Sequence, residues 1–142
     1  MDFPQRKPNR IANYDYSQSG AYFITICTQE RQKILCDIVG DDAHIVPSSC
    51  GQIAEKYIRS TPGIEKYVIM PDHIHLIVRL HEQDKRISSI VRSIKTLITK
   101  EIGVSIFQRS YYDHVIRNQQ DYDEIWEYIE NNPRKWAMTR QG

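Results

Sequence analysis

Two histidines stand two residues apart in an apolar segment near the middle of the chain, which reads YVIMPDHIHLIVRL from Tyr67 to Leu80. Successive side chains of a strand point to opposite faces, so His73 and His75 would share one face. Two neutral imidazoles that converge in this way can bind a divalent metal ion. The same spacing also occurs where one histidine packs between strands and the other lies at the surface. The pair therefore predicts either a metal site, whose third ligand must come from elsewhere, or one packed histidine and one surface histidine.

A tyrosine and an asparagine lie four residues apart in the last predicted helix. Side chains at this spacing share one helix face, so Tyr128 and Asn132 could act together. The amide oxygen of Asn132 could complete a metal site, and two imidazoles with one amide oxygen suit Mg²⁺ or Mn²⁺. The phenol of Tyr128 ionises more readily than an alkyl hydroxyl, so it could attack a phosphodiester and form a reversible covalent intermediate. Alternatively, Tyr128 is a half-buried aromatic residue whose hydroxyl reaches water.

The histidine pair is predicted to begin the second of two neighbouring strands. Met70-Pro71-Asp72 interrupts the apolar run, so strands are expected over Ile64 to Met70 and His73 to Leu80. Gly20 to Thr28 is rich in aromatic and β-branched residues and predicts a central strand. Phe107 to Arg117 alternates well enough to predict a fourth strand, and Ile34 to Val46 predicts a small hairpin or an irregular excursion.

Three helices are predicted to pack on these strands. The first is expected to follow Pro47-Ser48-Ser49 and to end before Pro62-Gly63. The second is expected from Ile87 to about Ile102, where Gly103 ends it. The third is expected from Asp121 to Asn132, where Pro133 stops it. In the third helix, Ile125, Trp126 and Ile129 are expected to form the buried side. The order of strands and helices predicts an α+β sandwich, with helices packed on an antiparallel sheet in the ferredoxin-like arrangement.

Length and composition indicate a single globular domain over residues 1–142. The chain has 142 residues, of which 40% are hydrophobic and 26% charged, and neither a membrane span nor an apolar signal core is present, so a cytoplasmic protein is expected. Three cysteines without paired spacing indicate neither a disulfide framework nor a thiolate zinc site. The net charge of +1 gives no global attraction to nucleic acid, so polyanion binding would depend on local patches.

Three segments together resemble a known family of DNA-processing enzymes. They are Met70-Pro71-Asp72 with His73-Ile74-His75, then the segment FQRSYYDH from Phe107 to His114, then EYIENNP from Glu127 to Pro133. This pattern resembles the single-tyrosine HUH transposases of the IS200-like superfamily, and the nearest branch looks like the REP-associated tyrosine transposases. The resemblance extends from about Tyr14 to Trp136.

The resemblance implies a ferredoxin-like catalytic domain. In it, His73, His75 and Asn132 would bind Mg²⁺ or Mn²⁺, and Tyr128 would be the nucleophile. It implies cleavage of single-stranded DNA near a hairpin, leaving a 5′-phosphotyrosine and a free 3′-hydroxyl. Because transposases of this group need two active sites for strand exchange, it also implies that a homodimer could form. Relatives in mobile insertion sequences tend to carry glutamine where this chain has Asn132.

Contacts to DNA are expected from cationic side chains outside the histidine pair. They are Arg6, Lys7 and Arg10 in the basic arm of residues 1–13, Arg109 beside two tyrosines, and Arg134 beyond the last helix. Two other functions stay open on the sequence: a single-stranded nucleic-acid-binding module without catalysis, and a metal-dependent hydrolase that forms no covalent intermediate.

Overall fold

A four-stranded antiparallel sheet forms the centre of the fold. The computed structural model of the protein describes residues 20–39, 44–81 and 86–141, with side chains described as far as residue 133. The elements within these ranges are β1 Gly20–Cys27, a short 3-10 turn Gln29–Arg31, β2 Cys36–Val39, β3 His44–Pro47, α1 Ser49–Arg59, β4 Ile64–Ile69, β5 His73–Leu80, α2 Ile87–Ile102, β6 Tyr112–Ile116 and α3 Gln119–Gln141.

The sheet has the strand order β4-β5-β1-β6, and each neighbouring pair is antiparallel. With two helices as crossovers, this is the ferredoxin-like order, so the predicted fold class is confirmed. β2 and β3 pair separately as the predicted hairpin. Because β1 and β5 are central, their residues are buried on both faces of the sheet.

Two hydrophobic clusters lie on opposite faces of the sheet. On one face, Ile24 and Leu76 belong to the cluster that contains the buried residues of α1 and α2. On the other face, Phe23 packs with Ile125 and Ile129 of α3. Among the described helices, only the third packs on this second face of the sheet, and this is the face on which the two histidines lie.

The last helix differs from the prediction at both ends. The side chain of Asn118 accepts a hydrogen bond from the backbone N–H of Asp121 (2.8 Å), so the helix is capped earlier and begins at Gln119. It also continues through Pro133 to Gln141. A proline removes one backbone N–H and crowds the preceding turn, but at this position it does not interrupt the helix.

The prediction that Trp126 is buried is wrong. Ile125 and Ile129 are 0% and 1% exposed, whereas Trp126 is 38% exposed. A rotation of about 100° per residue carries Trp126 off the face that packs on the sheet. Its ring instead stacks on Tyr122, with 5.9 Å between ring centroids, and lies under the Lys66 ammonium at 4.4 Å.

The fourth strand is shorter than predicted. β6 covers only Tyr112–Ile116, and Phe107 makes an isolated bridge to Thr28. Between them, the carbonyl oxygens of Gln108 and Arg109 accept hydrogen bonds from the Lys95 ammonium at 2.7 and 3.0 Å. Since these carbonyls bond to a side chain of α2, they do not extend the strand ladder.

The other predicted elements are confirmed with small changes of bounds. Ser48 caps α1 by accepting a hydrogen bond from the Gly51 N–H, and α2 ends at Gly103 in the left-handed conformation. None of the helices in the described part of the chain is long and apolar enough to cross a bilayer.

Candidate active site

His73 and His75 lie on one face of β5, as strand alternation predicts. Their ring centroids are 4.6 Å apart. In the β1–β5 register, His75 stands opposite Thr25 and His73 opposite Cys27. Because β5 is paired on both sides at His75, the backbone that carries the pair is fixed by the sheet.

Tyr128 comes to the same face from α3. Its ring centroid is 5.5 Å from that of His75, and Phe23 contacts it edge-on at 6.1 Å. Ile125 and Ile129 anchor the helix on the sheet, and Tyr128 is half-buried beside them. The sheet and the last helix of one chain therefore bring two imidazoles and a phenol together.

His75 is a buried imidazole with one nitrogen held by the protein. Its Nδ1 atom is 2.9 Å from the hydroxyl oxygen of Thr25. Its Nε2 atom is buried and has no hydrogen-bond partner among the residues that the structure describes. Burial lowers the pKa of His75 well below its usual value, and the charges of His73 and Arg31 lower it further. A neutral imidazole whose buried Nε2 lacks a partner suits a metal ligand.

His73 is oriented by the residue that precedes it. Its Nδ1 atom lies 2.7 Å from one carboxylate oxygen of Asp72, and the other oxygen accepts a hydrogen bond from Arg31 Nε at 3.2 Å. Burial alone would raise the pKa of Asp72, but the hydrogen bonds from His73 and Arg31 outweigh it and hold that pKa at about 2. The ionised carboxylate favours a proton on Nδ1 of His73, which leaves Nε2 for a ligand.

The two histidines could hold Mg²⁺ or Mn²⁺ only together with a further ligand. Among the described residues, that ligand would have to be of another type than His, Cys, Asp or Glu. Within the described ranges, no three His, Cys, Asp or Glu side chains group as a metal site. Asn132 is half-buried and lies one helical turn beyond Tyr128, about 6 Å further along the axis of α3. Its role as third ligand, like the metal-binding role of the two histidines, stays a prediction.

The predicted DNA-contact residues fall in different places. Arg109 is exposed and lines a cavity of about 810 Å³ between α2 and the segment that leads to β6. Its other cationic lining residues are Arg92, Lys95 and Lys100, and none of the described residues that line it is acidic. We call this cavity the basic groove. Arg6, Lys7 and Arg10 lie outside the described residues, and so does the side chain of Arg134.

Three site residues did not emerge from the sequence. Thr25 is a polar residue in an otherwise apolar strand, which is a signal that could have identified it. Asp72 adjoins the histidine pair in sequence, and its role is now clear from the hydrogen bond to His73. Arg31 carries no local signal, since its partners lie 41 and 42 residues away. His114 has a structural contact: its Nε2 atom is 2.9 Å from Asp121, which ties β6 to the start of α3.

The sequence and the fold both match known transposases. The family model described as "Transposase IS200 like" matches residues 16–132. The chain belongs to the IS200-like transposase family. The predicted resemblance is confirmed, and this IS200-like transposase is a DNA-binding enzyme of DNA transposition.

Individual relatives agree with this assignment. The IS200-like transposase is 30% identical to an uncharacterized protein of Haemophilus influenzae, over 95% of this chain and 92% of that one. It is 38% identical to the REP-associated tyrosine transposase of Escherichia coli strain K12 over 79 residues, which are 55% of this chain and 48% of that one. A solved structure of a REP-associated tyrosine transposase bound to a REP hairpin superposes with a TM-score of 0.70 at 29% identity, covering 89% of this chain and 74% of that one.

Proposed function

We propose that this transposase cleaves and rejoins single-stranded DNA near a hairpin, with Tyr128 as the nucleophile. The observation that carries the proposal is the position of the Tyr128 ring, 5.5 Å from that of His75 on the same face of the sheet. The phenol oxygen of Tyr128 bonds to the scissile phosphorus, and the bond from phosphorus to the 3′-oxygen breaks. The phenol loses its proton in this step, and the leaving 3′-oxygen takes one up, so the products are a 5′-phosphotyrosine and a strand with a 3′-hydroxyl.

Rejoining is the reverse of this step. A 3′-hydroxyl attacks the phosphotyrosine, a phosphodiester forms, and the phenol is released with the proton of the hydroxyl. Because the covalent bond to tyrosine retains the free energy of the broken phosphodiester, no nucleotide cofactor is needed. The edge contact of Phe23 holds the Tyr128 ring against the sheet, which limits the positions that its oxygen can take.

The two histidines are proposed to hold Mg²⁺ or Mn²⁺ through Nε2, with Asn132 as third ligand. Two observations support this assignment: Nε2 of His75 has no hydrogen-bond partner within the described ranges, and both imidazoles have contacts at Nδ1. When bound, the ion would polarise the scissile phosphate and stabilise the charge of the transition state. Thr25 and Asp72 each fix one imidazole, so both rings are oriented before any ligand binds.

The proposed substrate is a REP-type DNA hairpin with a single-stranded flank. A protein of the same fold, 29% identical to this one, was solved with a REP hairpin. The basic groove supplies cations for phosphates, and Arg109 is one of its lining residues. Further contacts to DNA are proposed for Arg134 and for the basic arm, through Arg6, Lys7 and Arg10. We also propose that residues 1–142 form a single catalytic domain. Formation of a homodimer stays a prediction.

The test is a covalent-adduct assay on labelled DNA. A hairpin with a single-stranded flank, labelled at its 3′ end, is incubated with protein and MnCl₂ and separated on a denaturing gel. The parent protein should retain the label as a protein–DNA adduct, since the 3′ part of the strand carries the 5′-phosphate. Tyr128→Phe should give no adduct, because the attacking oxygen is missing, while its binding of the hairpin should persist.

Tyr122→Phe is the matched control. Tyr122 lies on the same helix, and its hydroxyl donates to Glu65 at 2.7 Å. This variant should form as much adduct as the parent. Cleavage without any adduct would instead indicate a hydrolase, and binding without cleavage would indicate a module that only binds nucleic acid. An adduct that survives in Tyr128→Phe would assign the nucleophile to another residue.

A further inference from the structure

A short turn beside the histidine pair has an unfavourable backbone conformation. Glu30 and Arg31, neither of them glycine, have positive φ angles of 54° and 53°. The left-handed region is sterically costly for residues with a β-carbon, and two such residues in succession are rare. Backbone strain of this kind clusters at functional sites, where the surrounding structure enforces it.

The surroundings of the turn do enforce it. The N–H of Gln29 donates to the carbonyl of Ile106 at 2.8 Å, and the N–H of Thr28 donates to the carbonyl of Asp72 at 3.0 Å. The Thr28 hydroxyl donates to the carbonyl of Gln32 at 2.8 Å, which closes the far side of the turn. The turn is therefore fixed at both ends, and the side chain of Arg31 is held in one place.

That place is the mouth of the histidine site. Arg31 Nε donates to Asp72 at 3.2 Å, and an Nη atom lies 3.4 Å from Nδ1 of His73. The second contact is not a hydrogen bond if Nδ1 carries its proton toward Asp72, as the shorter distance of 2.7 Å favours. Of the five N–H donors of the guanidinium, the structure thus commits the Nε donor to Asp72. The Arg31 side chain is 46% exposed, so a ligand can approach it.

The turn also joins the two surfaces that a DNA strand would contact. Gln29 lines the basic groove together with Arg109. Two residues later, Arg31 stands beside His73. A strand that runs from the groove to the histidines therefore passes this turn.

We infer that Arg31 is a phosphate-binding residue, which contacts a backbone phosphate of the substrate strand beside the scissile bond. This assignment rests on the proposed function, since that function supplies the DNA strand. A guanidinium suits the role because its planar fork can donate two parallel hydrogen bonds to one phosphate. The strained turn aims the fork before the strand arrives.

The test measures DNA binding and metal binding separately, in the Tyr128→Phe background so that no cleavage occurs. A fluorescent hairpin with a single-stranded flank is titrated in EDTA at several KCl concentrations. Arg31→Gln should weaken binding about tenfold, the loss expected for one charge-assisted contact. The slope of log K against log[KCl] should fall by about 0.7, the value for one phosphate contact of a single strand. Binding of Mn²⁺ in the absence of DNA should not weaken, because the loss of the positive charge of Arg31 reduces the electrostatic repulsion of the cation.

Two further variants keep the result interpretable. Arg117→Gln removes one positive charge at the residue that directly follows β6. This variant should leave the salt slope of hairpin binding unchanged. Arg31→Gly removes the side chain but accepts the left-handed conformation, so it should lower the slope like Arg31→Gln while its Tm does not fall.

Equal slopes in Arg31→Gln and Arg117→Gln would overturn the assignment while the proposed function stands. So would unchanged DNA binding with weakened Mn²⁺ binding, which would show that Arg31 acts only by positioning Asp72 and His73. If the Tyr128→Phe protein itself binds no hairpin, both the assignment and the proposed substrate are wrong.

Discussion

Replacing Thr25 with valine should weaken metal binding, although Thr25 is not itself a proposed metal ligand. Thr25 and His75 are 8% and 2% exposed, and 2.9 Å separates the threonine hydroxyl from Nδ1 of the imidazole. Valine keeps the volume and the β-branch but offers a methyl group in place of the hydroxyl. Among the described residues, the imidazole would then have no hydrogen-bond partner at either buried nitrogen, instead of lacking one at Nε2 alone.

The expected magnitudes follow from that lost contact. A buried polar atom left without a partner costs about 1–3 kcal/mol, and the added apolar surface offsets part of it, so the free energy of unfolding of the metal-free protein should fall by about 1–2 kcal/mol. Loss of the group that orients a ligand weakens metal affinity about 10–100-fold. Urea unfolding in EDTA measures the first effect, and titration calorimetry with MnCl₂ at neutral pH measures the second.

Thr25→Ser is the matched control, since it retains the hydroxyl and loses a methyl group. It should lose some stability but bind Mn²⁺ as tightly as the parent. If Thr25→Val binds Mn²⁺ as well as Thr25→Ser does, then the hydroxyl does not orient His75, and the proposed metal site loses one of its supports.

Four further outcomes are expected. The metal-free protein should lose stability as the pH falls below about 6.5, by up to about 1.4 kcal/mol per pH unit. The reason is that burial lowers the pKa of His75 in the folded state, so the unfolded chain takes up the proton first. Urea unfolding in EDTA should show this slope in the parent and lose it in His75→Phe. Gly51→Ala should lower Tm although alanine favours helices, since its β-carbon would collide with the backbone oxygen of Leu35 and overpacking costs about 1–3 kcal/mol; a higher Tm in thermal unfolding would contradict this. Arg109→Gln should weaken hairpin binding and lower its salt slope by about 1, so an unchanged slope would remove the groove from the DNA path. Asn132→Leu should weaken Mn²⁺ binding at least about tenfold while Asn132→Gln retains it, and equal affinities by calorimetry would exclude the amide as a ligand.

Local rules were enough to predict the histidine face and most of the element bounds. Alternation along a strand depends only on the pleat of the backbone, so it places His73 and His75 together whatever packs on them. The pattern of apolar residues likewise located α2 closely. These features follow from the immediate neighbours in the sequence, which is why no knowledge of the tertiary structure was needed.

The contacts that refine the site depend on distant parts of the chain. Thr25 and His75 are 50 residues apart, and Arg31 meets Asp72 across 41 residues. Lys95 of α2 bonds to the carbonyls of Gln108 and Arg109, and the fourth strand begins only after them, later than predicted. Each of these depends on how the elements pack, and residue patterns within one element do not encode it.

The position of the site on one face of the sheet is specified by the same pattern that folds the sheet. Shifting β5 by one residue against β1 would place Ile74 and Leu76 beneath α3 and turn both imidazoles into the cluster formed by α1 and α2. That cluster is built of apolar side chains, so the imidazoles would be buried there without the contacts from Thr25 and Asp72. The correct register buries the aliphatic residues and presents the histidines to Tyr128. Selection for a stable core and selection for this arrangement of side chains therefore favour the same pairing of strands.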